Sequence, residues 1–518
     1  MKLQRTLIVV GTAVTLFWSF ALARVVEAPR LVVQVGKGLL PAPVDGRMLV
    51  FLRPVRLGFK PDTLIGSGGP FDLETAILGA DGNALTSGSK VMLDDRCATF
   101  PQARLADLPR GDYYAQAVFD FNRDLRLANA PGNLISPVAR IKLPPEGGAV
   151  EMTLTEALPE ERLPRDTETL RFIRLRSEKL SKFHGRPIYL RAGVILPPGH
   201  AREPDRRYPL RVQIGGFGTR FNVVERMMHP GSSFQRAWTA ADTPRMILLH
   251  LDGAGPLGDP YQVNSANHGP YGDAIVEELI PHVEQRFRGM GQGWARFTEG
   301  HSTGGWVSLA LQVFYPDFFG GTWSHAPDPV DFRAFELVNI YEDANFYVNR
   351  SGYERAACRT IQGDTVYSIR REVQHETVLG RGGNWTLSGK DWASWNATFG
   401  PRGADGLPTA LWDGKTGVIN RAVLDHWKRY DLRLHLQSNW EKLAPRLQGK
   451  LRIWVGEADD YFLNNAVHLL DQFLSRARPA SGASITYGPR RGHSWRGLTE
   501  RDILVQMGAA MEKAQPRR

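Results

Sequence analysis

The chain has little cysteine: 518 residues carry only Cys97 and Cys358. Two thiols cannot build a disulfide scaffold or a cysteine-ligated zinc or iron–sulfur site. An oxidising compartment would permit one bridge between them, and two unpaired buried thiols are the alternative. Clustered charge of one sign is also lacking. Lysine and arginine total 64 against 54 acidic residues, a net charge of +10. These are spread along the chain without the basic stripe of a nucleic-acid surface, so no nucleic-acid partner is expected. Metal-binding spacings such as His-Glu-x-x-His are absent, and neither metal nor cofactor is expected. Past the N-terminus no stretch is apolar enough to span a bilayer, and no internal repeat occurs. What remains, 42% hydrophobic and 23% charged, is a globular chain with ample core material and length for two to four domains.

The N-terminus reads as an export signal over residues 1–23. Lys2 and Arg5 precede an uncharged stretch, Thr6 to Ala23, that ends in the small-residue site Ala21-Leu22-Ala23. An uncleaved anchor is the alternative. Cleavage leaves the mature chain near +8, by loss of two charges from +10, and places it in a periplasmic or secreted setting. Residues 30–155 alternate short apolar runs, such as Leu31–Val35 and Tyr113–Phe119, with Gly, Pro, Asp and Asn. That spacing predicts a β-sandwich. The charged stretch Pro159–Arg176 reads as a linker, with the domain boundary drawn at 156–166.

From 167 to 515 strand patterns alternate with helical ones. Leu210–Ile214, Ile247–Leu251 and Leu451–Val455 read as strands, and Ala274–Arg288 and Ala466–Leu474 as amphipathic helices. Such alternation predicts an α/β domain with a mostly parallel sheet covered on both faces. Between Phe332 and Leu443 the alternation stops. This insertion holds Trp385, Trp392, Trp395, Trp412, Trp427 and Trp440, six of the chain's thirteen tryptophans. An irregular segment of that length is a subdomain or a functional element. It leaves and rejoins the sheet beside the elbow described next, so it is expected to lie over the sheet's carboxyl edge as a cap, most of its indoles structural.

Gly300-His301-Ser302-Thr303-Gly304 matches G-x-S-x-G. The glycines are needed because the serine sits on a tight, strained turn where flanking side chains would clash. Arg296–Thr298 supplies a strand before it and Gly305–Phe314 a helical pattern after it. A serine hydroxyl needs a base, and the base needs a carboxylate to orient it. In parallel-sheet hydrolases these follow in the order Ser, acid, His. The strand Leu451–Val455 ends in Gly456-Glu457-Ala458-Asp459-Asp460. Asp459 is the expected acid, with Asp460 and Glu457 as alternatives and a helix N-cap the competing role for Asp460. His493, in the loop Gly492-His493-Ser494-Trp495, is the expected base. Oxyanion donors are expected from the backbone N–H groups of Phe217, in Gly215-Gly216-Phe217-Gly218, and of Thr303. Gly414-Lys415-Thr416 has Thr409 where a phosphate loop needs glycine, and Gly289-Met290-Gly291-Gln292-Gly293 precedes a strand instead of following one.

Three features together resemble the esterase D-like branch of the α/β-hydrolase superfamily, which takes in S-formylglutathione hydrolases, feruloyl esterases and enterochelin esterase-like proteins. They are Tyr208-Pro209 before the strand ending in Gly215-Gly216-Phe217-Gly218, the Ser302 elbow, and the pairing of Gly456-Glu457-Ala458-Asp459 with Gly492-His493. The resemblance covers residues 167–515 without the insertion. The family's usual His-Gly is Gly215-Gly216 here, and Thr303 stands where Met or Leu is common. It implies a serine hydrolase acting on small-molecule or carbohydrate-linked esters through an acyl-enzyme. An acyltransferase with the same triad and a non-catalytic carbohydrate- or cell-wall-binding protein on a hydrolase fold are the other classes.

Overall fold

The computed structural model describes residues 29–56, 60–72, 74–145 and 148–516. The expected signal segment, 1–23, lies outside them. Two sheets make up the N-terminal part. Leu31–Val35 runs between Lys90–Leu93 and Val150–Leu154 in a small sheet. Val44–Pro54, Ala76–Leu85 and Gly111–Asp120 form the centre of a larger one. The alternation that marks these runs is the pleat made visible: Leu31, Val33 and Val35 are fully buried and meet Met48, Val50 and Leu52 across one shared core. The larger sheet's other face is apolar too. Leu49, Phe51 and Ile77 pack with Val378 and Leu379, far along the chain.

Eight strands form a third sheet: β1 (Leu170–Ser177), β2 (Ile188–Ile195), β3 (Leu210–Ile214), β4 (Ile247–Leu251), β5 (Arg296–His301), β6 (Gly321–His325), β7 (Leu451–Gly456) and β8 (Ser484–Gly488). Their spatial order is β1-β2-β4-β3-β5-β6-β7-β8. β1–β2 and β2–β4 pair antiparallel, and every pairing from β4–β3 to β7–β8 is parallel. β3, β4 and β6 are buried along their whole length, as strands covered on both faces must be. β1 corrects the linker reading of Pro159–Arg176. Its arginines at 171, 174 and 176 hide an edge strand whose Leu170, Phe172 and Ile173 point into cores. Charged side chains are tolerated there because one face of an edge strand meets water.

The insertion is more regular than its sequence implies. It holds a hairpin, Ala356–Arg359 with Thr365–Ser368, and helices Ile369–Leu379, Asp391–Phe399 and Leu432–Leu447. The last of these packs on the helix Thr303–Phe314. All six tryptophans are buried. Trp392 meets Phe346 edge-on, Trp412 stacks on it, and Trp385 stacks on Trp412, while Trp427 packs with Phe332, Phe335 and Phe399. The insertion also carries the N-terminal sheets: Arg47 Nε donates to Val378 O at 3.0 Å, and Arg126 donates to Leu379 O and Leu387 O, each at 2.9 Å.

Candidate active site

β5 runs directly into the helix Thr303–Phe314, and Ser302 is the residue between them. Its backbone is strained, with φ 61° and ψ −124°, the conformation expected of an elbow. The glycines are obligatory for contact reasons. A Cβ on Gly304 would lie 2.1 Å from Ile214 O, and one on Gly300 2.2 Å from Gly304 O. The helix is thereby pressed against β3 and β5, with Ser302 at the carboxyl edge and Thr303 N among the amides of the first turn, which lack intrahelical acceptors.

β7 ends at Gly456, where a Cβ would come within 2.2 Å of Arg491 O. That close approach lays the β7 loop against the loop carrying His493. Asp459 Oδ2 lies 2.8 Å from His493 Nδ1. Asp459 is fully buried. Its Oδ1 accepts from Tyr461 N at 2.9 Å and Leu463 N at 3.2 Å, so the carboxylate is fixed by its own turn. Asp460 does not cap the following helix, since Asn464–Arg476 starts from Leu463 without a side-chain cap, and Glu457 is exposed. Burial opposes charging of His493, but the hydrogen bond and charge of Asp459, with Asp328 and Asp460 behind them, hold its pKa above the ordinary imidazole value.

A buried ion cluster braces the histidine loop from below. Arg211 donates to Glu299 at 3.0 Å and to Glu500 at 2.9 Å, and Arg496 also pairs with Glu299. Arg496 O meets His325 Nδ1 at 2.7 Å, and His493 O meets His301 Nε2 at 2.8 Å. Burial pushes His301 down to about 4 and His325 to about 3, so both rings are neutral hydrogen-bonding struts.

Ser302, Thr303, Phe217 and His493 line one cavity of about 340 Å³. Ser302 Oγ makes no hydrogen bond among the described residues, and a base contact of this kind commonly tightens only with substrate in place. Thr303 has a role that the sequence does not disclose. Its hydroxyl donates to Asp328 Oδ2 at 3.0 Å, beside Tyr261 Oη at 2.6 Å and Trp395 Nε1 at 3.1 Å on the same oxygen. Sequence reasoning missed most of the remaining wall: Asp328, Glu336, Glu372 and Asp391, together with the Gly68–Phe71 loop of the N-terminal part. Trp392 and Trp395 are the two insertion indoles that reach the cavity.

An open, mostly parallel sheet with a serine elbow after β5, a carboxylate after β7 and a histidine after β8 has the architecture of an α/β-hydrolase. The family model described as "Putative esterase" matches residues 189–499, and the chain belongs to that family; it is a carboxylic ester hydrolase. Solved structures similar to it include a ferulic acid esterase (13% identity, 66% of this chain and 98% of that one, TM-score 0.41). Others are the fluorophosphonate-binding serine hydrolase F of Staphylococcus aureus (14%, 66% and 98%, 0.39) and an S-formylglutathione hydrolase from Agrobacterium tumefaciens (13%, 68% and 99%, 0.37). No curated protein matches the chain.

Proposed function

We propose that this esterase works through Ser302, His493 and Asp459. The supporting observation is the 2.8 Å contact between Asp459 Oδ2 and His493 Nδ1, with His493 and Ser302 on the same cavity. Ser302 Oγ attacks the ester carbonyl while His493 Nε2 takes its proton. His493 then gives that proton to the leaving alcohol, and the acyl group stays on Ser302. Water, deprotonated by His493, attacks the acyl carbonyl and releases the acid and the free serine. Asp459 orients the imidazole and supports its positive charge. The N–H groups of Phe217 and Thr303 receive the tetrahedral oxyanion, a contribution of about 3 kcal/mol per donor.

The insertion 332–443 acts as a cap whose Trp392 and Trp395 wall the acyl or alcohol pocket. The N-terminal sheets, which run on past 155 to take in the edge strand Glu156–Ala157, buttress that cap, and 158–166 joins them to the hydrolase part, 167–515. The protein is exported after loss of residues 1–23; among the described residues no helix is long and apolar enough to cross a membrane. Labelling with a fluorophosphonate tests the chemistry: Ser302 reacts, and Ser302→Ala abolishes both labelling and turnover of short-chain nitrophenyl esters. Full activity in that variant overturns the assignment.

A further inference from the structure

The chain is basic, yet the cavity in front of Ser302 is acidic. Asp328, Glu336, Glu372, Glu376 and Asp391 line it, and Lys390 is the only lysine or arginine among its described lining residues. Two of the five carboxyls have structural work. Glu376 accepts from Trp392 N at 2.8 Å, Ala393 N at 3.0 Å and Ser388 Oγ at 2.7 Å, which holds the start of the helix Asp391–Phe399. Asp328 gathers the three donors described above. Glu372 accepts once, from Trp392 Nε1 at 2.8 Å.

Glu336 has no such occupation. It is 4% exposed, and its Oε2 is buried without a hydrogen-bond partner among the described residues. Its backbone is left-handed at φ 53°, which a non-glycine residue adopts only where the surroundings hold it there. The charges that act on it most come from Glu372, Asp328, Asp391 and Asp459, all of the same sign. Burial and that repulsion push its carboxyl well above the usual range. A buried polar group without a partner costs its desolvation, and no contact among the described residues offsets it. Such a group is explained by a ligand that completes it.

We infer that the cavity takes an ester bearing an organic cation of the ammonium type, held by Glu336 and by the neighbouring Glu372 and Asp391, beside the rings of Trp392 and Trp395. This rests on the ester-hydrolase reading and specifies its substrate. One positive charge offsets the repulsion that keeps all three carboxyls from ionising together, which a neutral hydroxyl cannot do. No group of three or more His, Cys, Asp and Glu among the described residues has the geometry to hold a metal ion, whereas indole rings attract organic cations. Entry of the cation favours the ionised carboxyls, so binding releases protons.

Two matched pairs of esters test this: 4-nitrophenyl glycinate against 4-nitrophenyl propanoate for the acyl side, and 2-aminoethyl acetate against propyl acetate for the alcohol side. Each kcat/KM is divided by the rate of spontaneous hydrolysis in buffer. The ammonium member of at least one pair is expected to be favoured tenfold or more. Glu336→Gln lowers that ratio about tenfold, and Glu372→Gln, at a half-buried position, lowers it in the same direction if the first variant does not fold. A ratio of one or less in both pairs, or a ratio unchanged in the variants, overturns the inference. Titration with propylammonium, using 1-propanol as control, separates the two readings. If Ser302 fails to react with a fluorophosphonate, the hydrolase reading falls, while selective propylammonium binding still supports the cation site and its absence removes it.

Discussion

Asp459 Oδ2 and His493 Nδ1 meet at 2.8 Å, although 34 residues separate them. The carboxylate reaches the ring from the end of β7, and Gly456 lets the two loops touch. Because Asp459 Oδ1 is held by two backbone amides, the acid cannot turn away and the tautomer of His493 is set. Asp459→Asn is therefore expected to lower kcat by about 10⁴, measured with a nitrophenyl ester. Asp460→Asn, which alters only a neighbouring charge, is expected to cost less than tenfold. The reverse ranking would transfer the acid role to Asp460.

The pH profile follows from the same pair. In the proposed mechanism His493 must be neutral to accept the serine proton, and Asp459 stabilises its charged form. The acidic limb of kcat/KM is accordingly expected above the ordinary histidine value of about 6.5. Loss of the Asp459 charge moves the limb down, so the residual activity of Asp459→Asn persists to lower pH than that of the wild type. A limb well below 6 in the wild-type profile contradicts this.

Gly304→Ala tests the packing of the elbow. Its Cβ would sit 2.1 Å from Ile214 O, a backbone atom of a central strand. Overpacking of that kind costs about 1–3 kcal/mol, read as a lower urea midpoint, and displaces Ser302 enough to lower kcat. An unchanged midpoint with unchanged kcat would mean that the elbow has room the structure denies it.

The Glu299 cluster makes a prediction about stability. Glu299→Gln leaves Arg211 and Arg496 with one negative partner, Glu500, and Arg211 is fully buried. Breaking a buried pair this way costs about 3–5 kcal/mol. The loss is expected in the chemical denaturation curve, accompanied by weaker fluorophosphonate labelling because Arg496 anchors the loop of His493. A variant as stable as the wild type removes the cluster from any role in positioning the base.

The residues proposed for the chemistry were legible in the chain because each belongs to a local pattern. The G-x-S-x-G turn between a strand and a helix, the carboxylates closing one strand and the glycine-preceded histidine after another are short-range arrangements, dictated by backbone sterics and chain order. Alternation in Leu31–Val35 and in its neighbours likewise follows from the pleat. β1 was hidden because its arginines occupy positions that an edge strand can leave in water. Thr303, read as a departure from the family's usual residue, has its reason in Asp328 and Tyr261, neither of which is near it in sequence.

The substrate side was decided by tertiary structure alone. Glu336, Glu372 and Asp391 come from three different segments of the insertion, and Gly68–Phe71 from a loop of the N-terminal part some 230 residues before Ser302. Nothing in their local sequence marks them, because each is an ordinary charged or turn residue until the fold brings the others within range. Chemistry that needs one turn is written in neighbouring residues. A pocket's charge is a sum over distant ones, and that sum exists only after the chain has folded.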